Sequence, residues 1–363
     1  MADDNYTGVT TGTVATACSL AALDAILDTP DIACVKVETP KKTLDIIIDS
    51  CKKISDVKAC AAAHKNPYND PDVTVDLEII STVELFDKTD EEENVIITGG
   101  KGVGKITKPG LQIPVGDYAI NPGPRRMIVK NLKDVIPEGK IAKVTISIPE
   151  GEEIAKKTMN PKLGIVGGIS VLGTTGIARS MSSDAYKNSI VKQLDVVKAT
   201  GIENIVFVPG NIGENLALKR LNVSKEQIVQ TGNYVGFMFE EAEKRGIKKF
   251  TFFGHMGKLI KIAGGLFNTK HAVADGRREI MVCHAALCGA GQDDLQRLFD
   301  SKTTDDMMDI LNELGISVEV SNSIADAIGE RCKQRFGLDL NVVLVDMEGN
   351  YLNENMDLSL FKN

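Results

Sequence analysis

No stretch of this chain approaches the run of apolar residues that a membrane-spanning helix requires. Its opening residues, Met1-Ala-Asp-Asp-Asn-Tyr6, have neither a basic n-region nor an apolar h-region, so no secretory signal is expected there. Paired cysteines are missing as well. The seven cysteines are an odd number and none forms a Cys-x-x-Cys pair, which argues against a disulfide framework and for reduced thiols in a cytoplasmic protein. The nearest approach to a metal cluster is Cys283, His284 and Cys288. It lacks a fourth ligand and its spacing scatters the side chains around a helix, so buried thiols and no protein metal site are expected. A basic excess is also absent: the net charge of −8 and the pI near 5.3 argue against a general nucleic-acid binder.

What the chain does have is enough apolar sequence, 43% of 363 residues, for two cores rather than one. Its cations are gathered unevenly. Lys101, Lys105, Lys108, Arg125, Arg126 and Lys130 face only Asp117 across their stretch, and Lys258, Lys261, Lys270, Arg277 and Arg278 form a second group. Both groups lie inside glycine-rich motifs, a combination that suits a small anionic ligand as well as ordinary solvated surface.

The most informative segment is Gly164-Ile-Val-Gly-Gly-Ile-Ser-Val-Leu-Gly-Thr-Thr-Gly176, with five glycines among buried-type aliphatics. Stripping Cβ atoms from an inside strand or loop serves one of two ends. Either backbone amides approach a ligand closely, or two elements pack tightly; the ligand cradle is the favoured reading. A second glycine run, Gly99-Gly-Lys-Gly-Val-Gly-Lys105, fits the first seven positions of a phosphate-binding P-loop. Ile106 then stands where Ser or Thr should reach Mg²⁺, and Pro109-Gly110 would stop the required helix, so nucleotide hydrolysis is not expected. A Gly-x-Gly-x-x-Gly dinucleotide fingerprint is missing too.

The pattern of elements predicts an α+β part over residues 1–150. It starts with an alanine-rich helix over Val14–Leu27, which Thr10-Thr-Gly-Thr13 would cap while leaving backbone amides free. Strands are expected at 33–38, 44–49, 73–80, 95–98 and 142–148. Residues 151–363 are expected to form a second, α/β domain, Rossmann-like with a mostly parallel sheet, and its last strand could return to the first domain. Strands at 204–208, 227–230 and 249–253 alternate there with helices at 214–221, 234–245 and 258–263. Further helices are expected near 293–299, 305–314 and 324–335, and a last strand at 341–345. Two of the strands run into glycine turns, Pro209-Gly-Asn-Ile-Gly213 and Gly254-His-Met-Gly257, which would line a site at the carboxyl edge of an open sheet.

Taken in order, the motifs are far more specific than any one of them. They are Thr10-Thr-Gly-Thr13, Asp70-Pro-Asp-Val-Thr74, Gly102-Val-Gly-Lys-Ile-Thr-Lys-Pro-Gly-Leu111 and Ala119-Ile-Asn-Pro-Gly-Pro-Arg125. Leu163–Gly176, Pro209–Gly213, Gly254-His-Met-Gly-Lys-Leu-Ile-Lys261, Asn268-Thr269 and Ala274-Asp-Gly-Arg277 complete the set. This order closely resembles the cobalt-precorrin-5B C1-methyltransferase family, from about residue 7 to about residue 280. Three positions depart from the family pattern: Val14 where a Cys is common, Lys105 where Arg is common, and Lys270-His271 where His-Ser is usual.

The resemblance implies transfer of methyl from S-adenosyl-L-methionine to C1 of a cobalt-bearing, ring-contracted tetrapyrrole, with cobalt arriving only as part of the substrate. It implies a cofactor site at Gly164, Gly167, Gly168, Gly173, Thr174, Thr175 and Gly176, together with Gly210, Asn211, Gly213 and Glu214. Substrate carboxylates would meet Thr10, Thr11, Thr13, Lys101, Lys105, Lys108, Arg125, Lys258 and Lys261. His255 and Asp275 would handle proton loss after methylation. The expected partner is the small-molecule tetrapyrrole, with no nucleic acid and no membrane, and a homo-oligomer is left open. The rival readings are an enzyme using another adenine-containing cofactor and a carrier that binds an anionic tetrapyrrole without changing it.

Overall fold

The computed structural model of the chain describes residues 8–29, 32–65, 73–89, 93–178 and 183–361. Asp70, Pro71 and Asp72 of the Asp70–Thr74 motif lie outside them. The fold is a mixture of helices and several sheets in two compact units, Met1–Tyr186 and Lys187–Asn363. The division therefore comes after residue 186 rather than near residue 150. The physical reason is strand pairing: Gly168–Ile169 pairs with Gly102–Val103, Ile165–Val166 with Lys105–Ile106, and Ile177–Ala178 with Gly8–Val9. The whole Gly164–Gly176 segment is thus built into the first unit.

The first unit centres on a five-stranded sheet in the order Ser50–Ser55, Lys58–His64, Glu78–Asp87, Lys140–Ser147, Val95–Gly99. All neighbours are antiparallel except the last pair. Residues 73–76, expected to begin a strand, form a turn instead. Helix Thr11–Ile26 is buried on nearly every side, because its alanines and small polar residues let the sheet approach one face and helix Pro122–Leu132 another. The polar groups this burial traps are paired: Ser19 Oγ lies 2.8 Å from Ser81 Oγ, and Cys18 Sγ donates to the Ile79 carbonyl at 3.2 Å.

The second unit holds a four-stranded, fully parallel sheet in the order Ile228–Gln230, Val206–Val208, Lys249–His255, Asp339–Val345. The last strand completes this sheet rather than returning to the first unit. Helices Asn211–Arg220, Val235–Lys244 and Met256–Ala263 follow the first three strands in the chain, and Ser317–Phe336 precedes the fourth. Phenylalanines fill one face of the sheet. The rings of Phe207 and Phe250 are 4.0 Å apart, and Phe239 meets Phe252 edge-on at 5.1 Å. The short edge strand is closed by a side chain: Gln193 Oε1 accepts from the Gln230 amide at 3.0 Å and Gln193 Nε2 donates to the Gln230 carbonyl at 3.2 Å. That contact blunts an edge otherwise open to pairing.

Inside the first unit the glycines mainly serve close packing. A Cβ on Gly168 would collide with the backbone of Gly102, and one on Gly173 would collide with Thr10. Gly167 differs, with φ of +79° and no atom within 4 Å of a built Cβ. Replacing Gly168 by Ala should cost roughly 3 kcal/mol of stability, whereas Gly167→Ala should cost only the left-handed backbone term, about 1 kcal/mol. Equal unfolding midpoints for the two variants in urea would contradict this account.

Candidate functional site at the carboxyl edge of the parallel sheet

The chain leaves strand Val206–Val208 for one neighbour, Ile228–Gln230, and then crosses to the other side for Lys249–His255. The order reverses between Val206–Val208 and Lys249–His255, and open α/β sheets bind ligands in the crevice that such a reversal opens at the carboxyl ends. Pro209-Gly210 and His255-Met256 leave the sheet at those two ends. Thr231-Gly232-Asn233 leaves the neighbouring one.

Two polar clusters stand at this edge. In the first, Gln230 Nε2 donates to Asn211 Oδ1 at 2.8 Å and to Glu214 Oε2 at 2.5 Å. Asn211 opens helix Asn211–Arg220, and the exposed Ile212 flanks it. A Cβ on Gly210 would meet nothing within 4 Å, so the backbone there is open to a flat group, whereas Gly213 packs against Val208 and Pro209.

In the second cluster, Asn233 Oδ1 accepts from Lys258 Nζ at 3.3 Å and from Thr269 Oγ1 at 3.2 Å. Lys261 is only 3% exposed. Its ammonium donates to the carbonyls of Ala274 at 2.9 Å and Thr269 at 3.5 Å, and lies 3.8 Å from Asp275. Asp275 makes a bidentate pair with Arg277, at 2.5 and 2.8 Å, and the guanidinium holds its carboxyl well below the ordinary carboxylate range. Desolvation and the neighbouring Lys261 charge hold the Lys258 ammonium below the ordinary lysine value.

His255 ends its strand and caps helix Met256–Ala263, its Nδ1 accepting from the Gly257 amide at 3.1 Å. With Nδ1 as acceptor, the proton of the neutral ring sits on Nε2, which lies 3.1 Å from Asp305 Oδ1. Both ring nitrogens are engaged, and Asp275 is tied to Arg277. Each of the two residues expected from the sequence to handle the proton is thus held by a partner of its own.

The remaining expected residues are distributed by unit. Thr10, Thr11 and Thr13 are buried and lock the glycine segment: Thr13 Oγ1 donates to the Gly176 carbonyl at 2.6 Å, and Thr11 Oγ1 exchanges hydrogen bonds with Leu172. The helix amides expected to be free are taken, with Gly12 donating to the Leu172 carbonyl and Thr13 to Thr10. Gly164 lies under the stem of Lys108, and Gly176 lies against Thr39 and Thr13. Thr174 is exposed, and Thr175 Oγ1 bonds its own turn at the Ile177 carbonyl. Arg125 is spent on the carbonyls of Ile120 and Ile97, while Lys101 is exposed and Lys105 lies 5.0 Å from the Tyr118 ring centroid. The P-loop-like run carries two short strands and no helix.

The thiols come out differently from the expectation. Cys283 is exposed and Cys288 half-buried, because helix Arg277–Leu287 turns that face outward. Among the described residues no group of three or more metal-binding side chains occurs, and no helix is long and apolar enough to cross a membrane. Two surface depressions of the first unit, one lined by Lys88, Lys133 and Lys140 and one by Asp28, Asp49 and Lys53, hold none of the residues singled out from the sequence. Sequence reasoning missed Gln230 and Asn233 as site residues. The signal was there, since Thr231-Gly232-Asn233 follows a strand just as Pro209-Gly210 does.

The profile described as CbiD matches residues 2–180, and the one described as CbiD, C-terminal domain, matches residues 268–356. A protein of Methanobrevibacter smithii named cobalt-precorrin-5B C(1)-methyltransferase is 74% identical over 98% of this chain and 99% of its own length. Proteins of the same name from Methanosphaera stadtmanae and Methanocaldococcus jannaschii are 50% and 42% identical, each over 95% of this chain and over 90% and 95% of their own lengths. A crystal structure of a cobalamin biosynthesis protein (cbiD) from Archaeoglobus fulgidus is 26% identical over 76% of this chain and 84% of that one, at a TM-score of 0.37.

Changing His255 tests its place at the helix start. His255→Asn keeps an N-cap acceptor and should leave stability nearly unchanged, whereas His255→Ala should lose about 1 kcal/mol. Indistinguishable urea midpoints for the two variants would rule out the cap.

Proposed function

The chain belongs to the CbiD family, and from that membership we propose that it is the cobalt-precorrin-5B C1-methyltransferase, taking its methyl from S-adenosylmethionine. The observation that carries the reading is the 74% identity to a relative of that name over nearly the full length of both chains. Methyl moves from sulfur to C1 of the macrocycle, and the sulfonium becomes a thioether. Cobalt belongs to the substrate.

S-adenosylmethionine supplies a methyl group on a leaving group that is already activated. What the protein must add is alignment, which can lower a barrier by about 7–11 kcal/mol. The residues at the carboxyl edge of the parallel sheet, which we read as a Rossmann-like unit, fit a nucleoside-bearing ligand. Gly210 leaves room for a flat group against the backbone, and Asn211, Glu214 and Gln230 offer acceptors and donors suited to a ribose. We therefore base the donor site on Gly210, Asn211 and Glu214 rather than on Gly164–Gly176, where Gly164, Gly168, Gly173 and Gly176 already lie against other protein atoms. The exposed Lys258 at the same edge suits a carboxylate of the macrocycle. No side-chain base is assigned, because His255 and Asp275 are held by their own partners.

Incubation with cobalt-precorrin-5B and methyl-labelled S-adenosylmethionine should place one label on the macrocycle, and an unlabelled macrocycle after full incubation would reject the reading. In a thermal-shift screen, S-adenosylmethionine and its demethylated product should stabilise the protein. Stabilisation by ATP or NAD alone would point to another cofactor, and by corrinoid alone to a carrier. A pH dependence follows from Lys258. Because its ammonium loses its proton below the ordinary lysine value in the free protein, an anionic ligand that keeps it charged should bind most tightly where Lys258 is already protonated. The affinity should weaken as pH rises through the depressed value, before pH 10.5. Lys258→Met should flatten that limb.

A further inference from the structure

We propose that Asn233, together with Lys258 and Thr269, forms a carboxylate-binding subsite that selects ligands bearing an aliphatic carboxylate. This rests on the methyltransferase reading and adds to it a neutral residue that determines specificity. A lysine ammonium can only donate, so its contact with Asn233 fixes which end of the amide faces Lys258. Thr269 Oγ1 reaches that same oxygen, and the Thr269 amide donates to the Asn233 carbonyl at 2.9 Å. Asn233 is thereby pinned through both backbone and side chain to a threonine that is only 5% exposed. Its Nδ2 group, two donors, has no acceptor among the described residues, and it stands on the same amide as the oxygen that holds the Lys258 ammonium.

The electrostatics of the cluster are short of a negative charge. Lys261 and Arg277 both pair with Asp275, which His271 also approaches at 3.3 Å. Lys258, on the same helix as Lys261, pairs with no carboxylate among the described residues. An exposed cation one helical turn from a second cation, held only by a neutral amide oxygen among the described residues, is satisfied by an incoming anion. The Asn233 Nδ2 group and the Lys258 ammonium, both borne at this one amide, can each donate to a carboxylate oxygen. Within the proposed reaction, two molecules carry such a group: the amino-acid end of the methyl donor and the acetate and propionate arms of the tetrapyrrole.

The test is calorimetric titration of the wild type, Asn233→Asp and Lys258→Met with four probes. These are S-adenosylhomocysteine, the carboxylate-free 5′-methylthioadenosine, cobyrinic acid and its methyl ester. Asn233→Asp gives Lys258 an internal carboxylate and repels an incoming one, and both variants should weaken a carboxylate ligand about tenfold to a hundredfold. Loss confined to S-adenosylhomocysteine assigns the subsite to the methyl donor, and loss confined to cobyrinic acid assigns it to the macrocycle. In each case the carboxylate-free counterpart should bind as it does to the wild type. If both variants, folded with wild-type melting temperatures, bind all four probes unchanged, the subsite is overturned while the methyltransferase reading stands. If the wild type binds neither S-adenosylhomocysteine nor cobyrinic acid, that reading falls and takes the subsite with it.

Discussion

The parallel pairing of Val206–Val208 with Thr251 and Phe252 is the constraint on which the site depends. Placing Lys249–His255 on one side of that strand and Ile228–Gln230 on the other forces the chain to cross over its own sheet. Parallel strands all point their carboxyl ends the same way, so three turns of different sequence arrive along one edge. The phenylalanine layer beneath holds the strands in that arrangement, with Phe207, Phe250 and Phe252 contributed by two strands and Phe239 by a covering helix. The cluster of Asn233 with Lys258 joins turns from either side of the crossover and would not exist without it.

At that edge, side chains of one type are given different work. Lys261 is buried and tied to carbonyls and to Asp275, so it holds the Asn268–Asp275 segment in place. Lys258, three residues earlier on the same helix, reaches only an amide oxygen among the described residues. A buried ammonium must be satisfied from within the protein, whereas a surface one can wait for a ligand. The same logic separates Arg125, whose guanidinium serves two backbone carbonyls, from the exposed Lys101.

The glycine-rich segment of the first unit shows how a ligand-like pattern can come from packing. Gly168 meets the backbone of Gly102, and Gly173 meets Thr10, while the Thr10–Thr13 turn bonds to the carbonyls of Leu172 and Gly176 on either side of Gly173. Thr10–Thr13 and Leu172–Gly176 are complementary halves of one joint, although more than 150 residues separate Thr13 from Gly176. Two short runs that each look like ligand motifs therefore account for each other.

By itself the sequence determined the family, through the order of its motifs, and most of the elements of the second unit, through strands and helices whose apolar periodicity is local. It also marked the two glycine turns that end strands on either side of the crossover. Helices Pro122–Leu132 and Arg277–Leu287 were not legible, because a Pro-Gly-Pro start and a strongly charged first turn hide their apolar faces. Only the tertiary structure decided what each candidate residue touches. The unit boundary at residue 186, the filling of the glycine faces by Thr10 and Gly102, and the capping of a helix by His255 follow from long-range pairing. A glycine's missing Cβ, a threonine hydroxyl or an imidazole nitrogen serves equally a ligand or another part of the chain. Which partner it has is set by what the fold brings within hydrogen-bonding or van der Waals distance, and that information is not local in the sequence.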